Sequence, residues 1–432
     1  MMKRVAVEIA RLGAQGDGIT AGDGVTEGDG TAKGAGRTTF VPFALPGERW
    51  EIAGGHAERI TSSPDRVVPP CRHFGVCGGC AAQHMSDALY ARWKEGVVAE
   101  AFRHRGLDIT VAPLVRVAAH SRRRAVLGAA VEGRGLMLGF REEGEHRLVD
   151  LAECHVLDRD IVAAFEPLRA LARLLLGHEP KSVSKFKPRR KESRSARITL
   201  TRLDAGLDVA IEAECGVLPA DLAAALAAIA DNSRLVRLSV DGDVIFMRGR
   251  PVLTVGGVAT EPPPSVFLQA VPEAEEKLRE LVVAAVGKAK RIADLYCGIG
   301  TFTFPLARRA EVLALDGDAK AIAALSHAAK HAQGLRKIEA RVRDLGHEPL
   351  SRTELAAIDA VVLDPPRAGA AEQVVALARS KVPVVVAVSC NPATLARDAR
   401  TLVDGGYRLE RVTPVDQFVW TPHVEAVAVF RR

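Results

Sequence analysis

Short apolar strands alternate with helical stretches from residue 291 onward, and this alternation constrains the fold more than any other feature of the chain. The strand-like segments are RIADLYC, EVLALD, AVVLD, VPVVVAVS and VEAVAVF. Strands that alternate with helices form a mostly parallel sheet with helices on both faces. The sequence therefore predicts an α/β domain at residues 263–432, and the Pro-Pro-Pro segment at 262–264 marks its boundary.

Two further regions precede this domain. Residues 1–62 contain strand-like segments and, within 13–36, three Asp-Gly pairs that favour tight turns, so they predict a small β domain with a long hairpin loop. Residues 63–262 hold a cysteine-containing loop, a β-rich stretch at 120–153 and a helical pattern at 156–177. This pattern predicts a central domain that mixes helices and strands.

The overall composition indicates a soluble globular protein. No apolar stretch is long enough for a signal peptide or a membrane span, so we expect a cytoplasmic protein without membrane association. The net charge of +6 suits a polyanionic partner but is also common among ordinary enzymes. Residues 181–197 carry eight Lys or Arg against Glu192; such a run is usually a solvated loop, and phosphate contact is the functional alternative.

A glycine loop, DLYCGIGTFTFPLA, follows the first strand of the α/β domain and opens a helix. Gly298 and Gly300 allow the backbone to turn tightly and to approach a ligand. Asp316 ends the next strand, where an acid can accept hydrogen bonds from both ribose hydroxyls of a nucleoside. Thr303 stands where a dinucleotide-binding loop has its third glycine, which disfavours NAD. A nucleoside cofactor is therefore predicted.

Two more strands end in polar residues, at Asp364 and at Cys390. Because ligands bind beyond the carboxyl ends of parallel strands, we expect both to meet Asp316 in one crevice. Asn391 is a favourable N-cap and Pro392 a favourable first helical residue, so the dipole of the following helix is expected to favour the Cys390 thiolate. Position alone predicts either a reactive cysteine or a small buried one.

Glu425 begins the last apolar strand, where it is either a solvent-exposed carboxylate or a general base in a partly apolar cleft. Cys297 lies in the glycine loop and Cys215 in ordinary apolar sequence. We interpret both of these cysteines as packing residues.

Four other cysteines are typical of a metal site. They are Cys71, Cys77, Cys80 and Cys154. The first three form a Cys-x5-Cys-x2-Cys loop rich in glycine, and four thiolates bind either zinc or an iron–sulfur cluster. Composition does not choose between the two metals, and His73 and His84 are nearby nitrogen alternatives.

Taken together, these segments resemble the bacterial uracil-C5 RNA methyltransferases, most closely the 23S ribosomal RNA branch with a TRAM domain and a [4Fe–4S] cluster. RTTFVPFALPGE resembles the end of a TRAM β-barrel, and PPCRHFGVCGGCAAQH with AECHVL resembles the cluster loop and its fourth ligand. SRRRAVLG and GFREEGEHRLVDL resemble the RNA-facing central sheet. VFLQAV, DLYCGIGTFTFPLA, LDPPRAG and VSCNPATLARD resemble the segments of a Rossmann-like methyltransferase domain.

The resemblance implies a role for each candidate residue. Cys390 would be the nucleophile, Glu425 the base, and Phe267 would stack on the flipped base, with Asp364 also touching the uracil. The four cysteines of the loop would hold the [4Fe–4S] cluster. The residues implied to bind S-adenosyl-L-methionine are Gln269, Tyr296, Thr301, Asp316, Asp344 and Asp364.

The resulting hypothesis is methyl transfer from S-adenosyl-L-methionine to carbon 5 of a uridine in 23S rRNA, by covalent addition of Cys390 to carbon 6 of the uracil. We expect RNA as the partner, no obligate protein partner and a monomer. A tRNA uracil-C5 methyltransferase, a non-catalytic RNA-binding protein with a metal and an NAD-dependent oxidoreductase are the alternatives.

Overall fold

The computed structural model describes residues 4–20, 39–53, 56–133, 135–178 and 195–432. Most of the glycine-rich segment at 20–36 and most of the basic run at 181–197 lie outside the described residues. Among the helices that are described, none combines the length and the apolar character needed to cross a membrane.

The amino-terminal strands form one five-stranded sheet in the order β3-β2-β1-β4-β5, with neighbouring strands antiparallel. Its strands are β1 Val5–Leu12, β2 Gly18–Thr20, β3 Phe40–Val41, β4 Arg49–Ala53 and β5 His56–Arg59. Ile9, Val41 and Ala44 form its core, and a side chain at Gly18 would meet Ile9 and Ala44 at 2.8 Å. This sheet is compatible with the small β domain predicted at residues 1–62, although in the described part of the chain no β3–β5 pairing closes it into a barrel.

Helix α1 (Asp87–Arg103) follows the cysteine loop and packs against the carboxyl-terminal α/β layers. Its Val98 and Phe102 belong to the same apolar core as residues of the carboxyl-terminal strands. Its Lys94 is fully buried, and the Nζ atom lies 2.9 Å from a carboxylate oxygen of Asp416. A buried charge is tolerated only when it is paired, so this contact fixes α1 to the segment that contains Asp416.

The central region is a six-stranded sheet in the order β11-β10-β9-β8-β6-β7, covered by helices. All its pairings are antiparallel except β9 with β10. Its elements are β6 Arg124–Glu132, β7 Gly135–Gly139, α2 Arg159–Ala163, α3 Phe165–Gly177, β8 Ser195–Leu203, β9 Gly206–Glu212, α4 Ala220–Asn232, β10 Arg237–Val240 and β11 Asp243–Met247. Leu168, Leu171 and Leu175 recur at helical spacing on α3 and are buried against the sheet.

The carboxyl-terminal region contains a seven-stranded sheet in the order β16-β15-β14-β17-β18-β20-β19. A small hairpin and a helix precede it: β12 Leu253–Val255, β13 Val258–Thr260 and α5 Pro272–Val286. Its strands are β14 Arg291–Leu295, β15 Glu311–Asp316, β16 Ile338–Val342, β17 Ala360–Leu363, β18 Val384–Ser389, β19 Arg408–Val415 and β20 Glu425–Arg431. Its helices are α6 Thr303–Ala307, α7 Ala319–His331, α8 Arg352–Leu355, α9 Ala371–Ala378 and α10 Pro392–Asp404.

The predicted mostly parallel α/β sheet is confirmed. The pairings from β16 through β18 are parallel, and only β20 and β19 run antiparallel to their neighbours. Every residue of β18 is buried, as expected for a central strand that is covered by helices on both faces. The carboxyl ends of β14, β15, β17 and β18 therefore open at one edge of the sheet, where a crevice can form.

Candidate active site

Cys390 and Glu425 lie opposite each other at this edge. Strands β18 and β20 are antiparallel, and Ser389 pairs with Ala426. The same register sets Cys390, the next residue of one strand, against Glu425, the preceding residue of the other. Directly opposed residues share a face of the sheet, with Cβ atoms about 4.5–5.5 Å apart. Asp364 follows β17, the parallel neighbour of β18, so the three side chains share one site.

The Cys390 thiol is half-buried at the start of α10, and Asn391 caps this helix by accepting a hydrogen bond from the amide of Ala393 at 3.1 Å. Burial, followed by the charges of Glu425 and Asp364, raises the pKa of Cys390 to about 11. The prediction that the helix terminus would favour the thiolate is therefore wrong for the unliganded protein. The helix dipole is worth about 1 kcal/mol or less, and burial and the two carboxylates outweigh it.

Glu425 is 2% exposed, which contradicts the interpretation of a solvent-facing carboxylate. Burial raises its pKa to about 7, and a hydrogen bond from the Gln417 amide opposes that rise. Burial and the Glu425 charge likewise raise the pKa of Asp364. A carboxyl group that titrates near neutrality suits proton transfer at physiological pH.

A continuous hydrogen-bonded chain joins the two carboxyl groups. Asp364 Oδ2 accepts from Gln269 Nε2 at 2.9 Å. Gln269 Oε1 accepts from Gln417 Nε2 at 2.8 Å, and the same Gln417 nitrogen donates to Glu425 Oε2. Both glutamines are at most 2% exposed, so this chain is shielded from water.

The glycine loop forms the wall of the crevice beside Asp316. Gly298 has a φ of 53°, and its amide donates to Asp316 Oδ2 at 2.8 Å. Gly300 has a φ of 104°, and a Cβ there would lie 2.6 Å from the ring of Phe304. The close approach to Phe304 thus requires glycine at position 300, the positive φ at Gly298 favours glycine, and the loop holds the Asp316 carboxylate at the end of β15.

The remaining residues implied to bind the cofactor lie around the same loop. Tyr296 is half-buried with a φ of 63°; burial raises its pKa, and the charges of Asp398, Asp344 and Asp316 add to that rise. The Asp344 carboxylate follows β16 and accepts from the Gly346 amide at 3.0 Å. Thr301 is half-buried in the turn before α6.

Phe267 projects from the segment before Gln269 and is 67% exposed. Nearby, Arg124 Nη2 donates to the carbonyl of Ser265 at 3.3 Å. The positive charges of Arg122 and Arg197 lie close enough to Arg124 to add to the lowering of its pKa that burial causes. An exposed aromatic ring beside clustered guanidinium groups can stack on a base and contact phosphates.

The four cysteines of the predicted metal site line a single cavity of about 70 Å³. Burial, with contributions from the neighbouring cysteines, raises the pKa of Cys77, of Cys154 and, to about 12, of Cys80. His73 also lines the cavity, but its Nε2 accepts from the Ala152 amide at 3.1 Å. Within the described ranges, no group of three or more His, Cys, Asp or Glu side chains is arranged to hold a metal ion.

Two polar residues of the site, Asp294 and Gln417, were not predicted from the sequence. Asp294 on β14 is fully buried, accepts from Thr303 Oγ1 at 2.5 Å, and has its pKa raised to about 7 by burial. An acid inside the apolar segment RIADL is a signal that sequence reasoning could have used. Gln417 lies in the connection between β19 and β20, and its sequence neighbours give no indication of its contacts.

Comparison with known proteins agrees with this architecture. Residues 259–432 match the family model described as tRNA (Uracil-5-)-methyltransferase. A Brucella suis protein named as an RNA methyltransferase is 43% identical over 432 residues, which cover 99% of this chain and 97% of the relative. A 23S rRNA (uracil(1939)-C(5))-methyltransferase of Shewanella amazonensis is 30% identical over 453 residues, covering 100% of this chain and 96% of that relative.

Among solved structures, the Pyrococcus abyssi tRNA (uracil-54, C5)-methyltransferase in complex with S-adenosyl-L-homocysteine matches with a TM-score of 0.72. The match covers 98% of this chain and 99% of that chain at 24% identity, and it shows a shared fold. The predicted enzyme class is thereby confirmed over the oxidoreductase and the non-catalytic alternative. The chain belongs to the family of S-adenosyl-L-methionine-dependent RNA (uracil-C5) methyltransferases.

Proposed function

We propose that the protein methylates carbon 5 of a uridine in 23S ribosomal RNA. The observation that carries the reaction is the convergence of the half-buried Cys390 thiol with the carboxyl groups of Asp364 and Glu425 at one edge of the sheet. The full-length similarity to the Shewanella amazonensis 23S rRNA enzyme supports the substrate. The family model and the Pyrococcus abyssi structure carry tRNA in their names, so tRNA is the competing substrate.

The proposed chemistry begins with attack of the Cys390 thiolate on carbon 6 of the uracil. Electrons pass to the ring as an enolate, and carbon 5 becomes nucleophilic. When bound, S-adenosyl-L-methionine would supply an electrophilic methyl group to carbon 5, with S-adenosyl-L-homocysteine as the leaving group, and a positive charge that offsets the carboxylates near the thiol. Glu425 then accepts the proton from carbon 5, the sulfur–carbon bond breaks, and the thiolate is regenerated.

The base must leave its stack to reach the crevice, because Cys390 is half-buried. Stacking on the exposed ring of Phe267 would contribute about 1–3 kcal/mol toward holding it there. Asp364 is proposed to contact the uracil, and Arg122 and Arg124 to contact the RNA backbone. The residues proposed for the cofactor are Gln269, Tyr296, Thr301, Asp316, Asp344 and Asp364.

We also propose that the four cysteines hold a [4Fe–4S] cluster. Support comes from the single cavity that they line and from the resemblance of the Cys-x5-Cys-x2-Cys loop to the cluster loop of the family.

The cysteine loop is also bonded to the segment that precedes Glu425. The amides of Ala81 and Ala82, directly after Cys80, donate to the carbonyl of Trp420 at 2.7 and 3.1 Å. A bound cluster would therefore hold the loop that supports residues 416–424. A structural role for the cluster is consistent with these contacts.

Cys80→Ser is expected to remove the cluster. Protein purified without oxygen should contain about four irons per chain with matching acid-labile sulfide, and the variant should lose both. Cys215→Ser, at a buried cysteine of the central core, is the matched control and should retain them. Stoichiometric zinc in place of iron in the anaerobic wild-type protein would contradict the proposal.

The proposed substrate is tested by methyl transfer from labelled S-adenosyl-L-methionine to unmodified 23S rRNA and to bulk unmodified tRNA, followed by nucleoside analysis. We expect 5-methyluridine in the ribosomal RNA alone. Label in tRNA alone would keep the chemistry and reject the proposed substrate. Label in neither RNA, with protein that contains its cluster, would reject the proposed function.

A further inference from the structure

Gln417 occupies the centre of the buried hydrogen-bonded chain, although no part of the proposed chemistry assigns it a role. It is 1% exposed. Its Oε1 accepts from the Ala270 amide at 3.1 Å, and its Nε2 donates both to Gln269 and to Glu425. A backbone amide can only donate, so the Ala270 contact fixes which end of the side chain is oxygen. Both protons of the amide nitrogen are therefore directed at the two acceptors.

The orientation of Gln269 depends on that of Gln417. Because Gln269 Oε1 accepts from Gln417, its amide nitrogen is turned toward Asp364, to which it donates at 2.9 Å. The backbone carbonyl of Gln269 is held in turn by Arg123 Nε at 3.1 Å. Gln417 thus donates toward both ends of the chain, directly to Glu425, the proposed base, and through Gln269 to Asp364, a residue proposed for cofactor and uracil binding.

The backbone beside Gln417 is anchored independently of the crevice. The adjacent carboxylate of Asp416 accepts from Tyr90 Oη at 2.7 Å and from Lys94 Nζ at 2.9 Å, and all three side chains are buried. Gln417 is therefore held in place before any ligand binds. Preorganised donors of this kind need no reorganisation during the reaction.

The hydrogen bond from Gln417 to Glu425 matters because the surroundings of Glu425 oppose its ionisation. The chargeable groups that face it are Asp364 at the end of β17 and Cys390 at the end of β18, and both are acids. Among the described residues, the side-chain amide of Gln417 donates a hydrogen bond to the Glu425 carboxylate. It occupies Oε2 and leaves Oε1 available for a proton.

We propose that Gln417 is a positioning residue for methyl transfer, which holds Glu425 ionised and correctly oriented and links it through Gln269 to the cofactor site. The inference rests on the proposed function, in which Glu425 is the base. Gln417 itself exchanges no proton with the substrate. Its amide acts on the reaction only through the two side chains that it contacts.

The test is the pH dependence of kcat for Gln417→Met, assayed on whichever RNA the wild-type enzyme labels. A hydrogen bond to an ionised group favours the charged form, so its loss raises the pKa of Glu425 above the wild-type value of about 7. The rate on the acid side should therefore fall, and the acid limb should move to higher pH by about one to two units. Activity should recover at alkaline pH.

Gln373→Met is the matched control. Gln373 is also fully buried and accepts from the Leu350 amide at 2.8 Å, but it lies on α9, and its variant should keep the wild-type profile. Gln417→Glu preserves the shape of the side chain and covers the case in which the methionine variant does not fold. It should shift the acid limb at least as far.

An unmoved acid limb in a folded Gln417 variant, with an active wild-type enzyme, would overturn the inference alone. A wild-type enzyme that labels no RNA would overturn the proposed function and the inference with it. A shift that also appeared in Gln373→Met would identify a general effect of buried substitutions and would likewise overturn the specific role of Gln417.

Discussion

Cys390→Ala is expected to abolish methyl transfer while binding of S-adenosyl-L-methionine survives. The thiol is the only group of the proposed mechanism that can add covalently to carbon 6, and without that addition carbon 5 of uracil is a poor nucleophile. We expect the rate to fall below about one thousandth of wild type, the scale on which loss of a covalent nucleophile acts. Labelled methyl transfer and calorimetric titration of the cofactor measure the two quantities.

The contacts of Cys390 allow this variant to fold. The cap of α10 is made by Asn391 and not by the thiol, and the side chain is only half-buried. Cys215→Ala, in the core of the central sheet, is the control for removal of a cysteine and should retain activity. Wild-type activity in Cys390→Ala would reject the covalent mechanism. Loss of cofactor binding in that variant would show that the residue has a second role.

The ionisation of Cys390 shows where sequence reasoning about the site failed. The N-cap and the helix after Cys390 were predicted correctly from Asn391 and Pro392. The protonation state of the thiol was not predicted correctly, because the carboxyl groups that raise its pKa come from two other strands. A local argument captures a helix dipole but not charges that meet through tertiary contacts. In the resting protein the thiol is protonated, so attack requires bound ligands that favour the thiolate.

The strands of the seven-stranded sheet also divide into those that the sequence predicted and those that it did not. The buried strands β14, β15, β17 and β18 are mainly apolar segments and were predicted, as was β20. The two strands that were not predicted, β16 and β19, form the edges of the sheet. Their sequences, IEARV and RLERVTPV, contain charged residues that suit an exposed edge and hide the strand pattern.

The convergence of the site could be predicted because it depends on topology alone. Asp316, Asp364 and Cys390 were expected in one crevice from their positions at strand ends, and these strands are neighbours or near neighbours in the sheet. Gln417 could not be predicted, because its role depends on a loop conformation fixed by α1. The domain boundaries, the individual roles of the site residues and the monomeric state stay predictions.

Glu425→Gln is expected to trap a covalent protein–RNA adduct. After methyl transfer, carbon 5 still carries its proton, and the sulfur–carbon bond breaks only when that proton is removed. An amide cannot accept the proton at neutral pH, so the reaction should stop at the methylated adduct. Denaturing gel electrophoresis with labelled substrate RNA should show a shifted band in the variant and little in the wild-type enzyme.

The double variant Cys390→Ala/Glu425→Gln is the control that assigns the band, since it should form no adduct. The wild-type enzyme offers an independent check through pH, because the pKa of Glu425 is about 7 and the carboxyl group is protonated below it. The adduct should therefore accumulate in wild type as the pH falls below that value, provided that the thiol still adds. An active Glu425→Gln variant with no adduct at any pH would show that another group removes the proton. Asp364, the other buried carboxyl group at the site, would then be the first candidate for that base.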